Sequence, residues 1–290
     1  MYQDLIKKAK TLVEALPYIK KFSGKTMVIK YGGSIMVKDD IKSIFANDIA
    51  LLRYVGIKPI IVHGGGKEIS KWMAKVGKKA VFIDGLRVTD IETMEITEMV
   101  VIGKVNSEVV SFLNRAGSKA VGLSGKDANL ITAKKIKSKS NQDLGFVGDI
   151  THVDTTLLKN LCDSGYVPVI SPVGISEEGE TLNMNADHVA QAVATALSAQ
   201  KLIYLTDVQG VKIEGAVEGR ISLERAKSLL THPDIKDGML PKLTCAVRAL
   251  EEGVDQVHII DGTLEHSVLL EMFTDGGIGT MIFRQKEGGT

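Results

Sequence analysis

From Thr26 onward the chain repeats one pattern: a short apolar run, a turn, then residues with helical periodicity. Thr26–Tyr31, Lys58–His63, Lys119–Leu123, Tyr166–Ser171, Lys201–Thr206 and Gln256–Ile260 read as buried strands. Ile41–Val55, the segment after Gly66, Asp90–Arg115, Asp154–Ser164, Ala186–Leu197, Ser222–Leu230, Leu240–Glu252 and Leu264–Phe273 read as helices. Strands without polar alternation, separated by helices, require parallel pairing with helical crossovers on both faces. The expected fold class is therefore α/β, a mainly parallel open sheet sandwiched between helices. Residues Ile131–Ile150 depart from this rule: they are polar and alternating around Ser138–Asn141, which predicts a small antiparallel hairpin region. With 290 residues, 44% of them hydrophobic, the chain can build one large domain or two lobes sharing a sheet. No Pro/Ser/Gly linker interrupts it, so two lobes, residues 25–180 and 181–290, are expected to meet near 175–185.

The charge balance narrows the function. There are 36 basic and 35 acidic residues, so no broad basic field exists to hold nucleic acid. No apolar run approaches the ~20 residues that span a membrane. Cys162 and Cys245 are distant and lack CxxC spacing, which suits buried reduced thiols in a cytoplasmic protein. Residues 1–24 carry Leu5, Ile6, Ala9, Leu12, Val13, Leu16 and Ile19 at helical spacing, with lysines largely off that stripe. The segment lacks the arginines of a transit peptide and the continuous apolar core of a signal peptide, so it reads as an amphipathic helix whose stripe must cover something. The polar tail Arg284–Thr290 is expected to be partly disordered.

Ligands of parallel α/β sheets bind beyond the carboxyl ends of the strands. Gly32-Gly33, Gly64-Gly65-Gly66 and Gly125 fall there, where glycine lets backbone N–H groups approach phosphate oxygens; a plain tight turn explains any one of them equally well. The usual nucleotide signatures fail. Gly64-Gly65-Gly66 continues as Lys67-Glu68-Ile69 without the last glycine of GxGxxG, and neither GxxxxGK[ST] nor HRD or DFG occurs. GxSxG is absent too, and no His or Cys spacing suits zinc, so no metal-ligating residues are assigned.

Several side chains beside the turns remain. Lys30 sits inside an apolar strand, costly unless an anion meets it. Arg87 could fork onto a carboxylate, or form a surface pair with Asp84 or Asp90. If residues 183–187 are extended, Asn183, Asn185 and Asp187 share one side; simple helix capping is the alternative. Lys242 follows Gly238-Met239-Leu240-Pro241 near a helix start, a poor place for a cation unless it serves an anion.

Together, IKYGGS at 29–34, VHGGG at 62–66, GLRVT at 85–89, LNMNAD at 182–187, LTDVQGV at 205–211 and GMLPK at 238–242 resemble the amino-acid kinase family, most of all its branch acting on N-acetylglutamate. The likeness runs from about Lys25 to Ile282. It implies MgATP-dependent phosphorylation of the γ-carboxylate of N-acetyl-L-glutamate in arginine biosynthesis, with ATP and Mg²⁺ as cofactors. By matching position, Lys30 and Lys242 would neutralise the transferring phosphoryl group and Asp187 would hold both. Gly32, Gly33, Gly65 and Gly66 would turn backbone donors to phosphate and carboxylate. Arg87, Asn183 and Asn185 would bind substrate, while Asp207 and Gly210 would line the nucleotide pocket. The resemblance makes residues 25–180 the substrate-binding and dimerising lobe and 181–290 the nucleotide lobe. A helix like Met1–Phe22 implies a hexamer of interlaced dimers inhibited by L-arginine near Tyr18 and His266. Two other readings stand beside this one: an acetylaminoadipate-type kinase of lysine biosynthesis, or a non-catalytic arginine sensor binding a partner such as a PII signalling protein. Lys30, Asp187 and Lys242 together argue against the sensor, which would not need all three.

Overall fold

The computed structural model describes residues 2–37, 39–274 and 276–285, so Met1 and most of the polar tail lie outside the described residues. Strands β1 (Thr26–Tyr31), β2 (Lys58–His63), β3 (Ala120–Ser124), β4 (Val167–Ser171), β5 (Lys201–Thr206), β6 (Arg220–Ser222), β7 (Gln256–Asp261) and β8 (Thr280–Phe283) form one sheet. Its order is β6-β8-β7-β5-β1-β2-β4-β3. Every neighbouring pair is parallel except β7 with β8. The helices are α1 (Tyr2–Phe22), α2 (Asp39–Tyr54), α3 (Gly66–Lys75), α4 (Ile91–Glu98), α5 (Ser107–Arg115), α6 (Thr156–Asp163), α7 (Ala186–Ala196), α8 (Leu223–Leu229), α9 (Met239–Glu251) and α10 (Ser267–Phe273).

The doubly apolar strands are explained by where alternate residues go. Val28, Val62, Ile170, Leu202 and Ile259 enter one core with residues of α6, α7, α8 and α9. Ile29, Ile61, Val169, Ile203 and Ile260 enter a second core with residues of α2, α5 and α10. Each such aliphatic contributes about 1.5–3 kcal/mol by leaving water, which leaves little room for a polar residue in these strands without a cause. Among the described residues no helix is long and apolar enough to cross a membrane.

The hairpin expected at Ile131–Ile150 exists, pairing Ile131–Lys137 with Asp143–Val153 antiparallel. It goes further than expected: Val173–Ile175 and Thr181–Asn183 join it to close a small barrel. The long helix expected over Asp90–Arg115 is three segments: α4, a π-helix at Met99–Asn106, and α5. Asp90 caps it, accepting from Thr93 N–H at 2.8 Å. Apolar periodicity cannot separate π from α over two turns, so the widened segment was hidden. Strands β6 and β8, and the two-residue strands Phe82–Ile83 and Leu86–Arg87 around Asp84-Gly85, are too short to give a periodic signal.

Helix α1 matches its expected span, but among the described residues most of its stripe is left exposed. Leu12 and Val13 are 75% and 67% exposed, whereas Phe22 is buried and Tyr18 meets the Phe273 ring edge-on at 6.5 Å.

Candidate active site

Strands β1 and β2 lie side by side with Tyr31 opposite His63, so their glycine turns emerge together. Gly64 N–H donates to Tyr31 O at 2.8 Å. A Cβ on Gly32 would come 3.2 Å from Lys30 Nζ and 3.4 Å from Gly64 N, so a side chain there would crowd both the ammonium and the second turn. Gly33 has φ +74°, the left-handed region that glycine enters without penalty. A Cβ on Gly65 would meet Val101 Cγ2 at 2.9 Å; the π-helix presses on the turn.

Beyond the turns opens a cavity of about 680 Å³. Lys30, Gly33, Gly65, Gly66, Arg87, Asn183, Asn185 and Asp187 all line it. Gly32, against Lys30, does not line it. Lys242 is joined to the wall through Asp187: that carboxylate meets Lys30 Nζ at 2.9 Å and Lys242 Nζ at 3.2 Å. Burial pushes the Asp187 carboxyl up, but the two ammonium charges outweigh it and hold the group below its ordinary value. Tyr204, opposite Lys30 on β5, donates through Oη to Asp187 O at 3.1 Å. Asp187 also lies in the first turn of α7, where the helix dipole favours an anion.

The extended run from Asn183 to Asp187 is corrected. The strand ends at Asn183, and Asn185 is the N-cap of α7, its Oδ1 accepting from Asp187 N–H at 2.8 Å. Capping therefore accounts for Asn185, while Asp187 projects from the helix itself. Asn183 Nδ2 donates to Thr89 Oγ1 at 3.3 Å.

Arg87 forms no surface pair with Asp84 or Asp90. Asp90 is taken by Lys78 at 2.7 Å, and Asp84 accepts from Lys139 N–H. The guanidinium is buried instead, donating from one Nη to Gly66 O and Ser70 Oγ, both at 2.8 Å, beneath the Phe82 ring. These partners are neutral, and burial lowers its pKa from the usual arginine value. A buried cation facing a cavity among neutral groups is suited to an anionic ligand.

Asp207 and Gly210 do not line this cavity. They follow β5 at the same carboxyl edge, Asp207 exposed and Gly210 buried against Thr280, whose Oγ1 accepts from Val211 N–H at 2.8 Å. Tyr18 and His266 lie away from it as well, at opposite ends of α10; His266 Nδ1 is 2.7 Å from Asp48 Oδ1. Burial raises the Asp48 carboxyl to about 6. Sequence reading missed a buried chain under the end of α1. Lys201 Nζ is 2.9 Å from His258 Nε2, His258 Nδ1 is 2.5 Å from Glu271 Oε1, and the Phe22 ring covers Lys201. Lys201, breaking the polarity of its strand as Lys30 does, was the available signal. Also missed were Val101, Ser70 and Met73, whose helical apolar setting gave no cue.

The chain resembles proteins whose names fit this geometry. The model of the amino acid kinase family matches residues 25–261. The acetylglutamate kinase of Desulforamulus reducens is 52% identical over 96% of this chain and 98% of its own length. That of Caldanaerobacter subterraneus subsp. tengcongensis is also 52% identical, over 98% of this chain and 96% of its own. Among solved structures, N-acetylglutamate synthase from Neisseria gonorrhoeae complexed with coenzyme A and N-acetyl-glutamate superposes with a TM-score of 0.86 at 31% identity, covering 96% of this chain. Its complex with coenzyme A and L-arginine gives a TM-score of 0.83 at 30% identity, again over 96% of this chain. The chain spans only 64% and 65% of those synthase chains.

Proposed function

The chain belongs to the amino acid kinase family, and from that premise we infer that it transfers the γ-phosphoryl group of ATP to the γ-carboxylate of N-acetyl-L-glutamate. The products are N-acetyl-L-glutamyl 5-phosphate and ADP, a step toward arginine. One observation carries the reading: a single buried carboxylate, Asp187, holds two ammonium groups beside a cavity whose other wall presents Arg87 among neutral partners.

The chemistry needs little more. The acceptor carboxylate is already ionised at neutral pH, so no general base is required. One of its oxygens forms a bond to the γ-phosphorus while the bond to the β–γ bridging oxygen breaks, and ADP leaves with that electron pair. Negative charge spreads over the transferring group, so catalysis consists of alignment and neutralisation. Lys30 and Lys242 supply positive charge, oriented by Asp187. The Gly33 and Gly65-Gly66 turns supply backbone donors. Arg87 and Asn183 fix the α-carboxylate of the substrate, with Asn185 holding the start of α7 in place. Asp207 and Gly210 border the nucleotide, making residues 25–180 the substrate lobe and 181–290 the nucleotide lobe. Among the described residues no cluster of three or more His, Cys, Asp or Glu could cage a metal. Mg²⁺ arriving with the nucleotide would be held by phosphate oxygens and water and would supply further charge neutralisation.

Arginine inhibition and a hexameric assembly belong to the same proposal. The exposed stripe of α1 supports oligomerisation, and the packing of α1 on α10, between Tyr18 and His266, supports an effector there. The test is a turnover assay with hydroxylamine trapping of the acyl phosphate, comparing N-acetylglutamate with N-acetylaminoadipate, each with and without arginine. ATP-dependent hydroxamate from N-acetylglutamate in clear preference is expected. No hydroxamate, or preference for the longer acid, would overturn the assignment.

A further inference from the structure

One buried residue beside the glycine turn has no part in the chemistry above. His63 closes β2, fully buried, immediately before Gly64-Gly65-Gly66. Its Nδ1 is 2.8 Å from Gly64 O. A carbonyl oxygen only accepts, so Nδ1 must carry the proton. Its Nε2 lies 3.1 Å from Ser171 Oγ and 3.1 Å from Asn106 Nδ2. That amide's orientation is fixed by Val169 O, which accepts from the same Nδ2 at 2.9 Å. An NH₂ group only donates, so Nε2 must be the acceptor. The surroundings therefore dictate the neutral Nδ1–H tautomer. Burial acts in the same sense, pushing the imidazole down to about 4.

The arrangement is built from three elements. Asn106 ends the π-helix, Ser171 ends β4 and Val169 precedes it. Gly122 on β3 makes the room: a Cβ there would fall 2.0 Å from Asn106 Oδ1. The same π-helix sends Val101 against Gly65. In a trans peptide the C=O and the following N–H point opposite ways. Anchoring Gly64 O to the imidazole thus turns Gly65 N–H away from His63, and Gly64, Gly65 and Gly66 all border the cavity.

We propose that His63, locked as its Nδ1–H tautomer by Asn106 and Ser171, is a positioning residue that sets the Gly64–Gly65 peptide so that Gly65 N–H is aimed at the transferring phosphoryl group. The role assigned to that N–H rests on the phosphoryl-transfer reading given above; the tautomer does not.

Two measurements test it. Long-range ¹H–¹⁵N spectra of the full chain without substrate, between pH 5.5 and 8, are expected to show His63 protonated at Nδ1 alone. Protonation at Nε2, or an imidazolium, would overturn the proposal. In turnover assays, His63→Leu removes the donor and should lower kcat about tenfold to a hundredfold, short of the 10²–10³ lost when such a donor is deleted outright. KM for both substrates should stay within about threefold. His63→Asn, whose amide can donate from a similar position, should recover kcat to within about fivefold of wild type. A folded His63→Leu variant with kcat within twofold of wild type overturns the proposal. So does His63→Asn being no better than His63→Leu at equal melting temperature, the outcome of a merely structural role. If His63→Leu does not fold, the wild-type tautomer still decides. Wild-type failure to phosphorylate N-acetylglutamate would sink the functional reading alone, since the spectra are read without substrate.

Discussion

Replacing Asp187 by Asn removes one negative charge and keeps the side chain's shape, so what is lost is electrostatic. The carboxylate meets Lys30 at 2.9 Å and Lys242 at 3.2 Å. At an effective dielectric constant of about 20, each contact amounts to roughly 5 kcal/mol of Coulomb energy before desolvation is subtracted. Desolvating three charged groups cancels much of that, and removing one partner of a buried ionic cluster typically costs about 3–5 kcal/mol. For a chain of this size that lowers Tm by on the order of 10 °C. The two ammonium groups, left without their common anion, separate, and kcat should fall about 10²–10³-fold because alignment is lost. ATP phosphates can replace part of the missing charge, so saturating ATP should narrow the Tm gap and KM for ATP should not rise. The pH dependence has a definite sign. The pKa of Asp187 is held below its ordinary value, so its contribution is present above the unfolded value of about 3.9 and disappears only as pH falls through the lower folded value. Wild type and Asp187→Asn should therefore converge in stability only below about pH 4. Hydroxamate formation and thermal melts with and without ATP measure all of this. An Asp187→Asn enzyme with kcat within threefold of wild type and an unchanged melting curve would refute the two-lysine arrangement.

Gly65→Ala places a Cβ 2.9 Å from Val101 Cγ2, so it should lower kcat at least tenfold while Gly65→Ala/Val101→Ala regains most of it; steady-state kinetics of both variants decides whether crowding is the cause. Burial lowers His63 and His258 to about 4 and raises Asp48 to about 6. Each imidazole makes the unfolded chain bind more protons between about pH 4 and 6.5, so stability should rise with pH there, with Asp48 opposing the rise between about pH 4 and 6. Urea denaturation across that window should show the net rise, and a flat or falling profile would contradict it. Deleting residues 1–16 removes the exposed stripe yet leaves Tyr18 and Phe22 docked; light scattering should show a smaller oligomer that still turns over, and an unchanged assembly would dismiss α1 as the linker.

What could be read from the amino acids were the violations of local rules. Lys30 in an apolar strand, glycines after strand ends and Asp187 at a helix start each demanded a cause, and Lys30, Gly33, Gly64, Gly65, Gly66 and Asp187 line the cavity. The parallel sheet was equally legible, because alternate strand residues are all apolar for two cores rather than one. Long-range placement was not. Nothing local says that Lys242 on α9 reaches Asp187 on α7, or that the one-residue parallel pairing of Asn183 with Val147 helps close a barrel. Asn185 looked like a ligand because its capping role and a substrate role use the same amide. The π-helix was hidden because its residues keep helical apolar spacing, and with it went the contacts of Val101 and Asn106.

Strand β1 is bonded on one side to β2 and on the other to β5, residues 26–31 against 201–206. During synthesis the first of these strands must wait for some 170 residues before its second neighbour exists. Until then it is an exposed edge of apolar residues, the kind of surface that invites pairing with another chain. Contacts so distant in sequence also make the search for the native state slow. A nascent chain halted before Lys201 would hold Lys30 on a half-formed sheet, with Asp187 made but Lys242 not yet added. The Lys30–Asp187–Lys242 cluster is thus assembled only near the end of translation, and a chaperone's need for this protein should be greatest just before β5 emerges.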